Sequence, residues 1–163
     1  MPGPTSATLL FQHPSKKTAR RPLRTFFEET VARVAANGPV TCLITDDSRV
    51  RALNRQFRGK DYPTDVLSFP LAEGGGEIAI SLDTATRQAA DMGHAVEQEL
   101  RILMLHGLLH LAGMDHETDA GHMARAEAKW RKRLGLVSGL IERGLSERTP
   151  IERGGVARRR PHR

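Results

Sequence analysis

Residues 95–112, AVEQELRILMLHGLLHLA, constrain the fold more than any other stretch of this chain. Leu100, Ile102, Leu103, Leu105, Leu108, Leu109 and Leu111 distribute apolar side chains around every side of a helix read over Ala95 to Ala112. A helix apolar on all sides is stable in water only when other elements cover it. The rest of the chain must therefore supply layers around this segment, which becomes the centre of the fold. With 163 residues, there is enough chain for one domain with a sizeable core.

The same helix carries His106 and His110, four residues apart. Four residues are about 400° of rotation and about 6 Å of rise, so both rings leave one face a turn apart. Two imidazoles so placed can share one tetrahedral cation at about 2.0–2.1 Å. Gly113 follows. Glycine accepts positive φ and ends helices at little steric cost. The chain can then fold back and bring His116 to the same ion. A lone histidine on an apolar face is ordinarily a core residue, but three around a glycine break point to one zinc ion per chain, held by His106, His110 and His116. Three protein ligands leave a fourth position open, as catalytic zinc requires.

The frame His-x-x-x-His-x-x-Gly-x-x-His matches the ligand spacing of the metzincin proteases, but Gly107 stands where those enzymes carry the catalytic glutamate. Three neutral imidazoles leave zinc its full double charge, which can activate water near neutral pH and suits an anionic phosphodiester transition state.

Charge is uneven along the chain. Residues 1–24 carry Lys16, Lys17, Arg20, Arg21 and Arg24 without an acid, and residues 143–163 carry seven arginines against two glutamates. Each end is thus +5, so with a net charge of +6 the middle carries −4. A basic tail is compatible with nucleic acid and equally with a solvated end. Cys42 is the single cysteine, which excludes a disulfide framework and a cysteine metal cluster. No run approaches about 18 apolar residues and the N-terminus lacks a signal-type apolar segment, so the expectation is a cytoplasmic protein without membrane contact.

In chain order, residues 1–6 read as a disordered N-terminus, 7–136 as one catalytic domain of metallohydrolase type, and 137–163 as a basic, disordered C-terminal tail. Ala7 to Gln12 and Val40 to Thr45 read as strands, with a helix from Pro22 to Ala36 between them. His13, in a polar turn beside Pro14, is expected to be solvated. Asp46 or Asp47 caps a helix reaching about Phe57. That helix exposes Arg49, Arg51, Arg55 and Arg58, followed by Lys60. A solvated face explains Arg49 and Arg51. Arg58 meets the loop Gly59 to Thr64, where a guanidinium can fork onto a phosphate, and Arg55 and Lys60 flank it as candidate substrate-binding residues.

Asp65 to Phe69 and Glu77 to Ser81 read as an adjacent antiparallel pair, with the triple glycine 74–76 as a flexible turn. Ser81 or Asp83 caps a helix to Met92, broken by Gly93, and His94 follows as a polar turn residue. Thr118 or Asp119 is expected to cap a last helix from Gly121 to Leu134 with a core stripe of Met123, Ala126 and Trp130. His122 is expected to be exposed.

The stretch His-Gly-Leu-Leu-His-Leu-Ala-Gly-Met-Asp-His, residues 106–116, resembles the signature of the bacterial YbeY family of ribosomal RNA maturation factors. Asn54 to Phe69 is similar to the family's other strong block, and Gly76 to Ala85 to a third. The resemblance covers about residues 8–135. It implies an α/β (α+β) fold, a small mixed four-stranded sheet packed with about five helices around the metal-bearing one. It further implies a zinc-dependent, single-strand-specific endoribonuclease acting in 3′-end maturation of small-subunit (16S) ribosomal RNA and in ribosome quality control. Its partners would be single-stranded RNA, the ribosome and ribosome-assembly proteins. The metal ligands carry over to His106, His110 and His116, and the family's functional arginine to Arg58. The general base is unassigned; Asp115 and Glu117 flank His116, and a turn-capping role for Asp115 competes. Two rivals remain: a metal-dependent peptidase or other hydrolase, and a ribosome-assembly protein whose zinc is mainly structural.

Overall fold

The computed structural model describes residues 6–34, 38–114, 121–136 and the backbone of 155–156. Strand β1 (Ala7–Phe11), helix α1 (Arg20–Val34) and strand β2 (Val40–Thr45) form a parallel crossover unit. Helix α2 (Asp47–Arg58) then leads to the hairpin of β3 (Val66–Pro70) and β4 (Gly76–Ser81), followed by α3 (Leu82–Met92), α4 (Val96–Leu111) and α5 (His122–Arg133). β1, β2 and β4 run parallel, and β3 pairs antiparallel with β4, as its sequence suggested. The sheet order is β1-β2-β4-β3-β5, where β5 is Gly155–Val156 alone. The expected four-stranded sheet is therefore present, extended at the β3 edge. Those two residues come from the stretch read as an unstructured tail, and they pair in parallel with Leu67 and Ser68.

Alternation along β3 and β4 gives the sheet two differently covered faces. Val66, Ile78 and Ile80 point into the main core, which α1, α4 and Met123 of α5 complete. Leu67, Phe69 and Ala79 point the other way and pack with Val50, Leu53 and Phe57 of α2. α4 is buried along nearly its whole length, including His106 and His110, because helices and sheet surround it.

Local chemistry sets the element ends. Asp46 caps α2 by accepting the Arg49 amide at 2.8 Å, and Ser81 caps α3 by accepting the Thr84 amide at 3.1 Å. Gly113, with φ +94°, turns the chain after α4. The triple-glycine turn is held at its base: a Cβ on Gly75 would stand 2.2 Å from the Pro39 carbonyl oxygen. Cys42 is fully buried, and burial pushes its thiol pKa up, so it stays protonated.

Two expectations need correction. His13 is not solvated: its Nδ1 accepts the Ser15 and Lys16 amides, so Nε2 carries the proton and donates to Asp83 at 2.9 Å. Residue Gly121 occupies the α5 cap position without a side-chain cap bond, and Thr118 and Asp119 lie outside the described residues. The expected α5 stripe is present, with Met123 in the main core and the half-buried Ala126 and Trp130 packed against it, and Glu127 joins Met123 on the buried line. A glutamate in a basic helix reads as solvated surface, and only its partner across the fold explains its burial.

Candidate metal centre

His106 and His110 are 1% and 4% exposed, and their Nε2 atoms stand 3.1 Å apart. The rings meet edge to face, with centroids 4.7 Å apart and planes at 78°. Each ring is oriented through its other nitrogen. His110 Nδ1 lies 2.9 Å from the Met114 carbonyl oxygen. A carbonyl only accepts, so His110 Nδ1 carries a proton. His106 Nδ1 lies 2.8 Å from Glu127 Oε2, and Glu127 is fully buried. A carboxylate there favours the Nδ1–H form of His106. In the neutral tautomers both Nε2 lone pairs therefore face one another, an arrangement that repels unless a cation or a proton stands between them. A tetrahedral zinc ion with nitrogens at about 2.0–2.1 Å separates its donors by about 3.3 Å. Donor type, tautomer and spacing all fit such an ion.

Among the described residues, no group of three His, Cys, Asp or Glu side chains gathers to hold one ion. The expected third ligand His116, and Asp115 and Glu117 beside it, lie outside the described residues. Glu127 received no role from the sequence, although with Met123 it continues the family resemblance beyond residue 116. Its spacing of four from Met123 was the available signal, since both face inward on α5.

Gly107 lies against the sheet. A Cβ there would stand 3.0 Å from both Cδ1 and Cγ2 of Ile78 and 3.2 Å from Ser68 Oγ. Ser68, register partner of Ile78, donates its hydroxyl to the Gly107 carbonyl at 3.2 Å. A glutamate in a protease-like role has no room at this position.

Arg58 ends α2, the helix whose Leu53 and Phe57 pack on the opposite face of the sheet. Its Nη1 donates to the Asn54 carboxamide oxygen at 3.4 Å, and Asn54 Nδ2 donates to the Tyr62 carbonyl at 2.8 Å. Asn54 is fully buried, and its own carbonyl accepts the Lys60 amide at 3.4 Å. One side chain thus ties the end of α2 to the loop beyond Gly59. The Phe57 ring packs edge-on against Phe69 at 5.2 Å. Phe69 follows Ser68, which touches Gly107 of α4, so Phe57 and Gly107 meet neighbouring β3 residues from its two faces. Of the candidates beside it, Arg55 is exposed and Lys60 is half-buried just past the helix cap. Arg51 pairs with Asp61 at 2.9 Å, both exposed, in line with a solvated role.

A buried helix holding two oriented imidazoles against one face of a mixed sheet defines an α/β protein with a histidine-centred site. The chain belongs to the endoribonuclease YbeY family, whose family model, described as "Endoribonuclease YbeY", matches residues 10–135. An endoribonuclease YbeY of Solibacter usitatus is 50% identical over 145 residues, covering 88% of this chain and 98% of that protein. The endoribonuclease YbeY of Koribacter versatilis is 53% identical over 118 residues, covering 70% and 78%. A solution structure of a protein from Thermotoga maritima is 28% identical, with a TM-score of 0.55, covering 88% of this chain and 99% of that one.

Proposed function

We propose that this chain is a zinc-dependent endoribonuclease that cuts single-stranded RNA, acting in 3′-end maturation of small-subunit ribosomal RNA and in ribosome quality control. The observation that carries the reading is the pair of facing Nε2 atoms 3.1 Å apart, in a chain of an endoribonuclease family. His106, His110 and His116 would hold the metal, which when bound supplies a Lewis-acid charge for the phosphodiester. Glu127 and the Met114 carbonyl keep both described rings turned with Nε2 toward the ion. Arg58 is assigned the phosphate clamp, with Arg55 and Lys60 as flanking contacts, and a forked guanidinium suits the developing charge. Asp115 is a candidate proton acceptor. RNA also carries its own nucleophile, the 2′-hydroxyl, whose attack leaves a cyclic phosphate. The packing of Gly107 weighs against the peptidase alternative.

The test uses the purified full chain and its His110→Ala variant, each with measured zinc content, incubated with a small-subunit RNA precursor and with an unstructured protein. Cleavage of single-stranded RNA by wild type, lost in a variant with wild-type circular dichroism and no zinc, supports the reading. Wild-type cleavage by a zinc-free variant refutes the zinc assignment. Loss of folding in the variant supports the structural-zinc rival.

A further inference from the structure

Helix α5 has two unlike faces. Met123 and Glu127 point inward, where Glu127 meets His106 at 2.8 Å. Arg125, Lys129, Lys132 and Arg133 are all exposed and follow the spacing i, i+4, i+7, i+8 of a single helix face. Glu127 is the only acid between residues 122 and 133, and it is fully buried. The outward face is therefore cationic along about 12 Å of helix, and the helix itself supplies no outward carboxylate. A favourable interaction with the helix dipole accounts for cations in the last turn alone. It leaves Lys129 unexplained, since that residue lies before the last turn. The guanidinium carbons of Arg33 and Arg133 lie 5.5 and 5.4 Å from the centre of the Trp130 ring, which fastens the end of α5 to α1.

We infer that the cationic face of α5, backing directly onto His106 through Glu127, is a docking surface for the phosphate backbone of a single-stranded RNA running away from the scissile bond. The inference rests on the proposed ribonuclease function and names where that substrate lies. Charge complementarity selects the occupant. The stretch between the two basic ends carries −4 although α5 within it carries five cations against the one buried Glu127, so a polyanion is drawn to this helix, as it is to the exposed arginines of α2, rather than to the acidic remainder of that stretch. Contacts to phosphates alone carry no base sequence, so α5 would add affinity and direction rather than cleavage specificity.

The experiment compares wild type with Lys129→Gln/Lys132→Gln, two lysines that leave the Trp130 stack and the His106 partner in place. Binding of a long single-stranded RNA is measured from low to high salt, with circular dichroism as the folding control and Lys129→Arg/Lys132→Arg as the charge-conserving rescue. The expected result is affinity lower by about tenfold at low salt. The slope of log affinity against log salt becomes shallower by about 1.4, because each single-strand phosphate that a lysine no longer neutralises removes about 0.7. The arginine variant restores both. Wild-type affinity and slope in the glutamine variant overturn the inference alone and leave the face to an acidic protein. A wild type that neither binds nor cuts RNA overturns it together with the proposed function.

Discussion

Glu127 and His106 form a hydrogen-bonded pair at 2.8 Å in which both side chains are at most 1% exposed. The carboxylate comes from the most basic helix of the domain and the imidazole from its most apolar one, so the two helices are joined at the candidate metal ligand. Substituting Glu127→Gln keeps the shape but weakens the preference for the Nδ1–H tautomer. Zinc affinity, measured by competition with a chromophoric chelator, is expected to fall about 10–100-fold. Unchanged affinity would remove Glu127 from the site.

Gly107 is expected to tolerate no carboxylate. Its missing Cβ would press on Ile78 and Ser68 at 3.0–3.2 Å. Gly107→Ala should destabilise by about 1–3 kcal/mol through overpacking, and Gly107→Glu should fail to fold rather than gain peptidase activity. Denaturant titration checks the first and a casein assay on soluble protein the second. A stable, proteolytic glutamate variant would revive the peptidase reading.

The Asn54 carboxamide bridges Arg58 and the Tyr62 carbonyl at 3.4 and 2.8 Å. Asn54→Ala leaves that carbonyl without its donor and should lower stability by about 1–3 kcal/mol. For Arg58→Lys, which keeps charge but loses the fork, RNA cleavage is expected to fall at least tenfold with folding intact. Equal rates for Arg58→Lys and wild type would dismiss the forked clamp.

Acid sensitivity should centre on the clasp between α2 and α3. Burial acts to raise the Asp83 pKa, but the Asp47 amide, His13 and Lys16 outweigh it and hold the carboxyl at about 2, below its ordinary 3.8. Burial also opposes ionisation of Asp47, and Ser81, Thr84 and Arg87 outweigh it in the same way. A depressed carboxylate pKa contributes stability above the unfolded value, and that contribution is lost as pH falls through the folded one. Wild type should therefore exceed Asp83→Asn in stability at neutral pH, with the gap narrowing between about pH 4 and pH 2. Thermal melts across that range measure it, and a gap independent of pH would contradict the assignment.

Much of the scaffold was readable in one dimension because the relevant forces are local. Short apolar runs placed β2 and β4, the pairs Asp46/Asp47 and Ser81/Asp83 bracketed the helix starts that Asp46 and Ser81 cap, and the all-round apolar pattern identified α4 as central. His106 and His110 were legible together because a spacing of four is geometry internal to a helix. His13 was misread for the opposite reason: its partner Asp83 is 70 residues away, and nothing near it in the chain announces a carboxylate.

By itself the sequence determined the helix that had to be buried, the two imidazoles on one of its faces, and the glycine turn that follows. Tertiary structure alone decided which nitrogens face each other, because ring orientation depends on Glu127, 21 residues on, and on the Met114 carbonyl beyond the helix end. It also decided that Gly107 abuts Ile78 and Ser68 and that Phe57 meets Phe69 on the other face of β3. Those relations come from the packing of elements distant in the chain, where contact is set by the summed burial of many side chains rather than by any local signal.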